Sequence, residues 1–116
     1  GKGLPLVEQV VDEATAALCA EACGVTRTLH ALTLDYAKQR EAFGRPIAQY
    51  QAVAFMLAEM AIEIESARGL VWEAAWKLDQ GEDALRAALL AKRTADKTVL
   101  MVCDRAVQIL GGHYDL

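Results

Sequence analysis

The stretch Arg40-Glu-Ala-Phe-Gly-Arg-Pro-Ile-Ala-Gln-Tyr-Gln51 decides the fold, because it interrupts two long segments with helical apolar periodicity. Pro46 lacks a backbone donor and disfavours a helical residue before it, so a helix arriving from the N-terminal side should stop near Phe43-Gly44. A new helix can begin at Pro46. One interpretation is a helical hairpin in which Phe43 and Ile47 staple the turn to the core. An arginine, a phenylalanine and a glutamine around one turn also suit a binding surface, and the residue types leave both interpretations open.

Apolar residues recur at steps of three and four on both sides of this turn and predict three helices. We expect 1–116 to form a single domain, in which a short linker precedes the helices, at 1–5, and the helices cover about 6–42, 47–80 and 83–110. No β-strand is needed. Gly81 suits a left-handed residue between the second and third helices, and Gly111-Gly112 should end the third. Short connections make the helices run up, down and up, which predicts an all-α bundle of three long antiparallel helices.

Each helix carries an apolar stripe that is expected to face the core. In the first helix the stripe is Val7, Val11, Ala14, Leu18, Ala22, Val25, Leu29, Leu32 and Tyr36. In the second it is Val53, Met56, Leu57, Met60, Ile64, Ala67, Val71, Ala74 and Leu78, and in the third Leu85, Ala88, Leu89, Ala95, Val99, Val102, Ala106 and Ile109. Three stripes leave an open groove where a fourth helix would normally lie, which predicts an association site.

Charge and composition argue against several classes of protein. A net charge of −4 and a pI near 5.1 do not favour a nucleic-acid surface, which needs clustered Lys and Arg. Hydrophobic residues make up 54% and charged residues 24%, and no apolar run approaches the roughly 18 residues of a membrane span. No leader opens the chain, so we expect a cytoplasmic protein. The three cysteines are interpreted as core fillers in a reducing compartment, and no metal site is expected.

Two spots combine polar groups with a fixed backbone. At the first, Arg40 offers a planar donor fork for phosphate, Phe43 a flat apolar face, and Gln51 an amide with both donors and an acceptor. At the second, Gln108 precedes Gly111-Gly112, where missing side chains would let a ligand approach backbone donors. Together these groups would suit an anionic ligand that carries a flat heterocycle.

Two motifs add a family resemblance to this interpretation. Arg40-x-x-Phe43-Gly44-x-Pro46-Ile47-x-x-x-Gln51, followed by Ala67-Arg68 and by Ala106-x-Gln108-Ile109-Leu110-Gly111-Gly112, resembles the C-terminal helical domain of the acyl-CoA dehydrogenases. The resemblance covers nearly the whole chain, and it implies that family's four-helix bundle lacking its last helix. It also implies FAD as cofactor, an acyl-CoA thioester dehydrogenated at its α and β carbons, and an electron-transfer flavoprotein that reoxidises the flavin.

In that family the helical domain forms the dimer and tetramer contacts of a homo-oligomer, and its two motifs hold the ADP half of an FAD bound mainly by the neighbouring subunit. The resemblance therefore implies that Arg40 meets the pyrophosphate and that Phe43 and Gln51 line the adenosine side. Gln108 with Gly111-Gly112 would approach the cofactor through amide and backbone groups.

The chain departs from the family pattern at the catalytic position. Most members carry the catalytic Glu beyond the Gly-Gly motif, and a minority carry it early in the first long helix, where Ala14 stands here and Glu13 faces another way. We therefore predict no catalytic residue and no turnover by this chain alone. The ending Gly-Gly-His-Tyr also replaces the usual Gly-Gly-x-Gly. An assembly module that binds no cofactor remains an alternative, as does a free-standing bundle that binds another heterocycle.

Overall fold

Three long helices form an elongated bundle. The structure, a computed structural model, describes the backbone of residues 3–114 and the side chains of residues 3–111. The helices are α1 (Gly3–Gln39), α2 (Gln51–Asp79) and α3 (Leu85–Tyr114), and the chain measures 67 × 23 × 16 Å. Each helix packs against the other two. The all-α, up-down architecture predicted from the periodicity is therefore confirmed.

A small hairpin joins the first two helices. It consists of β1 (Glu41–Ala42) and β2 (Arg45–Pro46), which pair antiparallel with Ala42 opposite Arg45, and one 3₁₀ turn follows at Ile47–Gln49. The expectation that no strand would form is therefore wrong at this one place. Pairing between β1 and β2 draws Glu41 and Ala42 out of the helix, so α1 ends at Gln39 instead of 42 and α2 begins at Gln51 instead of 47.

The two chain-terminal boundaries also differ from the prediction. α1 begins at Gly3, inside the expected linker 1–5, of which residues 1–2 lie outside the described part. α3 continues through Gly111-Gly112 to Tyr114 instead of stopping near 110. A glycine inside a helix costs only about 1 kcal/mol relative to alanine, so a glycine pair does not by itself end a helix.

The connection between α2 and α3 is a Schellman motif. Gly81 has φ +72°, its N–H donates to the carbonyl of Leu78 at 3.1 Å, and the N–H of Glu82 donates to the carbonyl of Lys77 at 3.0 Å. These bonds satisfy the last carbonyls of α2. Asp83 then accepts a hydrogen bond from the N–H of Leu85 at 3.1 Å, which caps the start of α3. Gly81 therefore adopts the predicted left-handed conformation.

The core divides into two clusters along the bundle. The cluster nearer the Schellman loop consists of small side chains and one valine: Cys19, Cys23, Ala67, Val71, Ala74, Ala87, Ala91 and Ala95. The cluster nearer the hairpin contains the larger ones: Ala37, Leu57, Met60, Ile64, Val102, Ala106 and Ile109. Cys19 and Cys23 are thus core fillers as predicted, and burial raises the pKa of both thiols, whereas Cys103 is exposed.

α1 turns a different face to the core than its large apolar residues predict. Leu18, Val25 and Leu32 are about 60% exposed, at 60%, 59% and 61%. The buried residues of α1 are instead Ala16, Cys19, Cys23, Thr26, Thr33 and Ala37. Small side chains let α1 approach the alanine-rich face of α3 closely. For the same reason Leu85 and Leu89 of α3 are exposed. The buried residues in this region are Ala84, just before α3, and Ala87 and Ala91 within it. The predicted stripe of α2 agrees much better with its buried face, which holds Leu57, Met60, Ile64, Ala67, Val71 and Ala74.

Buried polar groups are satisfied by backbone carbonyls. The hydroxyl of Thr33 donates to Leu29 at 2.7 Å, and that of Thr98 donates from α3 to Glu63 of α2 at 3.4 Å. Nε2 of His30 donates to the carbonyl of Leu57 at 3.0 Å, which ties α1 to α2. Within the described residues, no buried side-chain nitrogen or oxygen lacks a partner. Polar residues on the core face of α1 therefore carry little desolvation penalty.

Two further features concern membrane and metal. No helix between residues 3 and 114 combines the length and the apolar content that crossing a bilayer requires. Among the side chains of residues 3–111, no group of three His, Cys, Asp or Glu is arranged to hold a metal ion. Lys92 pairs with Asp96 of the same helix at 2.7 Å.

Met60 offers a test of the core assignment, because it is fully buried in the larger cluster. We expect Met60→Ala to lower the free energy of unfolding by about 2–5 kcal/mol through lost burial and the cavity it leaves. Ile62→Ala is the control, since Ile62 lies two positions away and is 64% exposed, and it should cost less than about 1 kcal/mol. Urea unfolding followed by circular dichroism measures both. Similar losses in the two variants would show that the buried face of α2 is assigned incorrectly.

Candidate functional site

The hairpin between α1 and α2 has an unusual turn. Its two central residues, Phe43 and Gly44, have φ values of +53° and +86°. Positive φ at both positions is the signature of a type I′ turn, which matches the twist of two paired strands. Glycine adopts this conformation without penalty, but a phenylalanine in the left-handed region costs roughly 1–2 kcal/mol. The hairpin therefore holds Phe43 in a strained backbone conformation.

Contacts with Tyr50 and Arg40 fix the hairpin in place. The hydroxyl of Tyr50 donates to the carbonyl of Ala42, and the guanidinium carbon of Arg45 lies 4.0 Å from the centroid of the Tyr50 ring. The N–H of Ile47 donates to the carbonyl of Arg40 at 2.8 Å, and Ile47 packs half-buried against the larger core cluster. These contacts join both strands to the start of α2. They offset the strain at Phe43.

The predicted site residues of the hairpin all face solvent. Phe43 is fully exposed, with a relative accessibility of 101%, so it does not staple the turn to the core and that interpretation is wrong for Phe43. The interpretation holds for Ile47 alone. Arg40 is exposed, and its guanidinium has no hydrogen bond or ion pair with any side chain in the described part of the chain. Gln51 is the exposed first residue of α2.

The start of α2 adds electrostatic character to this spot. Tyr50 makes no side-chain cap to the helix, and its first turn contains no acidic residue. Neither the cap residue nor the first turn of α2 therefore offsets the free N–H groups and the partial positive charge of this helix N-terminus. Arg40 and Arg45 add two guanidinium groups to the same spot. An anionic group is the complementary ligand.

The second predicted spot lies at the same end of the bundle but is less open. Ile47 of the hairpin and Ile109 of α3 belong to one core region, which places the last turns of α3 beside the hairpin. Gln108 is exposed, but its Nε2 donates to Asp104 at 3.0 Å, and Asp104 also accepts from Arg105 at 2.7 Å. Because α3 continues through Gly111-Gly112, the backbone N–H groups there lie inside a helix, where intrahelical hydrogen bonds engage them. The structure thus differs from the expectation of free donors at the glycine pair.

Sequence reasoning missed two residues of the hairpin. Arg45 and Tyr50 stood at unspecified positions of the motif, yet their contacts hold the turn. The available signal was the spacing of an arginine and a tyrosine around Pro46, which allows a cation–π contact across a short turn. That signal is weak in sequence, because it requires knowing that β1 and β2 pair.

Comparison with known proteins identifies the family. Residues 1–113 match the family model described as "Acyl-CoA dehydrogenase, C-terminal domain". The chain belongs to the acyl-CoA dehydrogenase family, as a C-terminal domain. Among curated relatives, the short-chain specific acyl-CoA dehydrogenase of Megasphaera elsdenii is 37% identical over 113 residues, which are 97% of this chain and 30% of that protein. This chain therefore spans less than a third of that relative.

Solved structures of the family share the helical bundle. The butyryl-CoA dehydrogenase of Megasphaera elsdenii superposes with a TM-score of 0.91 at 37% identity, over 97% of this chain and 30% of that one. The structure described as PigA with FAD and proline gives a TM-score of 0.83 at 33% identity, over 85% of this chain and 26% of that one. The predicted family and fold are therefore confirmed.

The geometry of the acyl-CoA dehydrogenase domain can be compared with the chemistry of FAD, whose pyrophosphate is anionic and whose adenine is flat. The hairpin fits that combination, because the exposed Arg40, the exposed ring of Phe43 and the N-terminus of α2 belong to one short stretch of chain. The end of α3 fits it less well, because Asp104 holds the amide of Gln108. Of the two spots, the hairpin is therefore the better match to a ligand of this chemistry.

Phe43 gives a test that separates a structural role from a binding role. Asparagine tolerates positive φ, and no buried apolar contact is lost on removing a fully exposed ring. We expect Phe43→Asn to leave the free energy of unfolding unchanged or to raise it by up to about 1 kcal/mol. Ile47→Ala is the control, since it removes a half-buried contact and should lower the free energy of unfolding by about 1–3 kcal/mol. Thermal and urea unfolding measure both, and a clear loss in Phe43→Asn would mean that the ring supports the fold.

Proposed function

We propose that this chain is the FAD-contacting and oligomerisation domain of an acyl-CoA dehydrogenase. The observation that carries the proposal is the hairpin, which presents the unpaired guanidinium of Arg40 and the fully exposed ring of Phe43 beside the start of α2. A strained residue held by surrounding contacts is typical of functional sites. The family membership supports a flavin as the ligand, and one structural relative is described with FAD.

In this proposal each residue of the hairpin has a separate role. Arg40 binds the pyrophosphate through its donor fork, assisted by the uncompensated N-terminus of α2. Phe43 offers its ring face to the adenine, and Gln51 donates or accepts at the adenosine. Gln108, Gly111 and Gly112 form a secondary contact on the last turns of α3. For Gln108 to take part, its amide must give up its hydrogen bond to Asp104 and bond to the cofactor instead.

The proposed reaction of the parent enzyme is the α,β-dehydrogenation of an acyl-CoA thioester. FAD, when bound, supplies the hydride acceptor, and an electron-transfer flavoprotein is the proposed partner that removes the electrons. The contribution of this chain is to bind and orient the ADP half of the cofactor. A homo-oligomer, dimer or tetramer, is the proposed assembly, because the domain then contacts a cofactor held mainly by its neighbour.

We further propose that the chain alone is not catalytic. Dehydrogenation needs a base within hydrogen-bond reach of the α carbon of the substrate. Ala14 occupies the position on α1 where part of the family carries that base, and the neighbouring Glu13 accepts a hydrogen bond from Gln9 at 3.2 Å on the exposed surface of α1. Alanine has no proton-accepting side chain and Glu13 faces another way on α1, so neither residue is proposed as that base.

FAD retention tests the binding role. After incubation with excess FAD and gel filtration, we expect a flavin absorbance band to coelute with the chain, and we expect Arg40→Ala to weaken flavin affinity about tenfold or more, since a charge-assisted hydrogen bond is worth roughly 1.5–3 kcal/mol. Circular dichroism should show unchanged helix content. Arg93→Ala is the matched control, because Arg93 is an exposed arginine of α3 far from the hairpin, and it should retain wild-type affinity. Equal losses of flavin affinity in the two variants would show that Arg40 acts only as a nonspecific positive charge.

The catalytic proposal has its own assay. The purified chain, supplied with FAD, an acyl-CoA and an artificial electron acceptor, should produce no enoyl-CoA above the level of free FAD. The reason is that Ala14 stands where part of the family carries the base. Oxidation of the thioester by the wild-type chain would contradict the assignment of a non-catalytic domain.

The alternative is an assembly module that binds no cofactor. The continuous helix through Gly111-Gly112 favours it, because it removes the backbone donors expected at the second spot. In that function the chain forms a stable homo-oligomer, and FAD leaves its melting temperature unchanged. Colourless protein after gel filtration, with an intact oligomer, would select this alternative.

A further inference from the structure

A groove with two arginines lies between α1 and α2. It has a volume of about 290 Å³, and its lining includes Cys23, Gly24, Arg27, Arg68, Val71 and Trp72. Arg27 belongs to α1, whereas Arg68 and Trp72 belong to α2. Although the chain has a net charge of −4, no acidic side chain of the described residues lines this groove. We call it the arginine groove.

Arg68 keeps donors available for a ligand. Its guanidinium carbon lies 4.4 Å from the centroid of the Trp72 ring, which holds the half-buried side chain in place. A guanidinium has five N–H donors, so contact with one ring leaves several of them for a carboxylate. Glu65 forms an ion pair with Arg68 at 3.7 Å, a distance too long for a hydrogen bond. Glu65 therefore offsets part of the charge without occupying the donors.

Arg27 brings a second guanidinium to the same groove. It has no ion pair or hydrogen bond with any side chain of residues 3–111. Two positive charges that line one groove repel each other, and a bound anion reverses the sign of that interaction. A carboxylate has two oxygens, so it can accept hydrogen bonds from both Arg27 and Arg68.

We propose that the arginine groove binds a small aromatic carboxylate. The carboxylate accepts hydrogen bonds from Arg27 and Arg68, and the aromatic ring lies against the apolar part of the lining at Cys23 and Val71. A volume of about 290 Å³ is near the lower limit of small-molecule sites, so the groove suits a ligand of one or two rings. Inorganic phosphate would match the charge but would leave the apolar lining in water.

The arginine groove is separate from the hairpin. Arg27 and Gln39 are twelve positions apart on α1, which is about 18 Å at 1.5 Å per residue. The groove also lies between α1 and α2, where the FAD proposal places no residue. The inference therefore goes beyond the proposed function and does not rest on it.

The first experiment is equilibrium dialysis of the full chain against 2-naphthoate, which has two fused rings and one carboxylate. For a ligand of this size we expect a dissociation constant on the order of 0.1–1 mM. Neutral 2-naphthamide has the same rings and should bind at least fivefold more weakly, because it has no charge for the two arginines. Equal affinity for the two compounds, or no binding of 2-naphthoate at 5 mM, where about 5 mM is well above the expected constant, overturns the proposal.

Arginine variants test the site itself. Arg27→Gln and Arg68→Gln should each weaken 2-naphthoate binding about tenfold, since each removes charge-assisted hydrogen bonds. Arg68→Lys keeps the charge but loses the planar fork, so its affinity should also fall. Arg93→Gln is the matched control, because Arg93 is an exposed arginine of α3 outside the groove. An equal loss in Arg93→Gln, or wild-type affinity in Arg27→Gln, overturns the assignment.

Gly24 provides a test that misfolding does not confuse. Open space lies where its Cβ would stand, and leucine favours a helix more than glycine does, so Gly24→Leu should fold with an unchanged or higher melting temperature. Its side chain narrows the groove, and 2-naphthoate affinity should fall at least fivefold. Gly69→Leu is the control, because Gly69 has the same open space but does not line the groove. Wild-type affinity in Gly24→Leu would place the ligand elsewhere and overturn the proposal.

Discussion

The close approach of α1 to α3 is the constraint on which the rest of the structure depends. Cys19 and Cys23 of α1 meet alanines of α3, and side chains of this size fill little space between two helices. Close approach lets many small contacts accumulate along helices of about thirty residues or more, although each buried side chain contributes little alone. The consequence for α1 is that its larger apolar residues stay outside. A surface of this kind is stable in water only at a cost, which a partner can remove.

The hairpin turns the chain between two long helices and still leaves side chains exposed for the proposed ligand. A turn made only of Asn and Gly would be unstrained but would display no aromatic group. Here Tyr50, bonded to the carbonyl of Ala42 and covered by Arg45, holds the turn closed around Phe43. Phe43 is therefore both strained and exposed. The contacts that offset the strain come from Arg45 and Tyr50, which follow the turn in sequence.

Periodicity predicted the number, order and direction of the helices, because a 3.6-residue repeat is a property of local sequence. It could not choose the inner face of α1. Leu18, Val25 and Leu32 recur every seven residues, and Cys19, Cys23 and Thr26 recur at steps of four and three. Both rows fit a helix, and hydrophobicity favours the first row. The structure buries the second row, because the side chains of both α1 and α3 determine how closely the two helices pack. The apolar area of α1 alone does not decide which face is buried. Periodicity also could not predict the hairpin, because strands of two residues are too short to show a repeat.

The candidate site shows which parts of a motif can be assigned from residue type. Arg40, Phe43 and Gln51 could be named from their chemistry, and the structure leaves all three exposed at one place. Gly111-Gly112 was expected to free backbone donors, but a helix can continue through two glycines when its neighbours pack, as Ile109 does here. A role for that pair must therefore come from its missing side chains, which would let another chain or a cofactor lie against the helix surface.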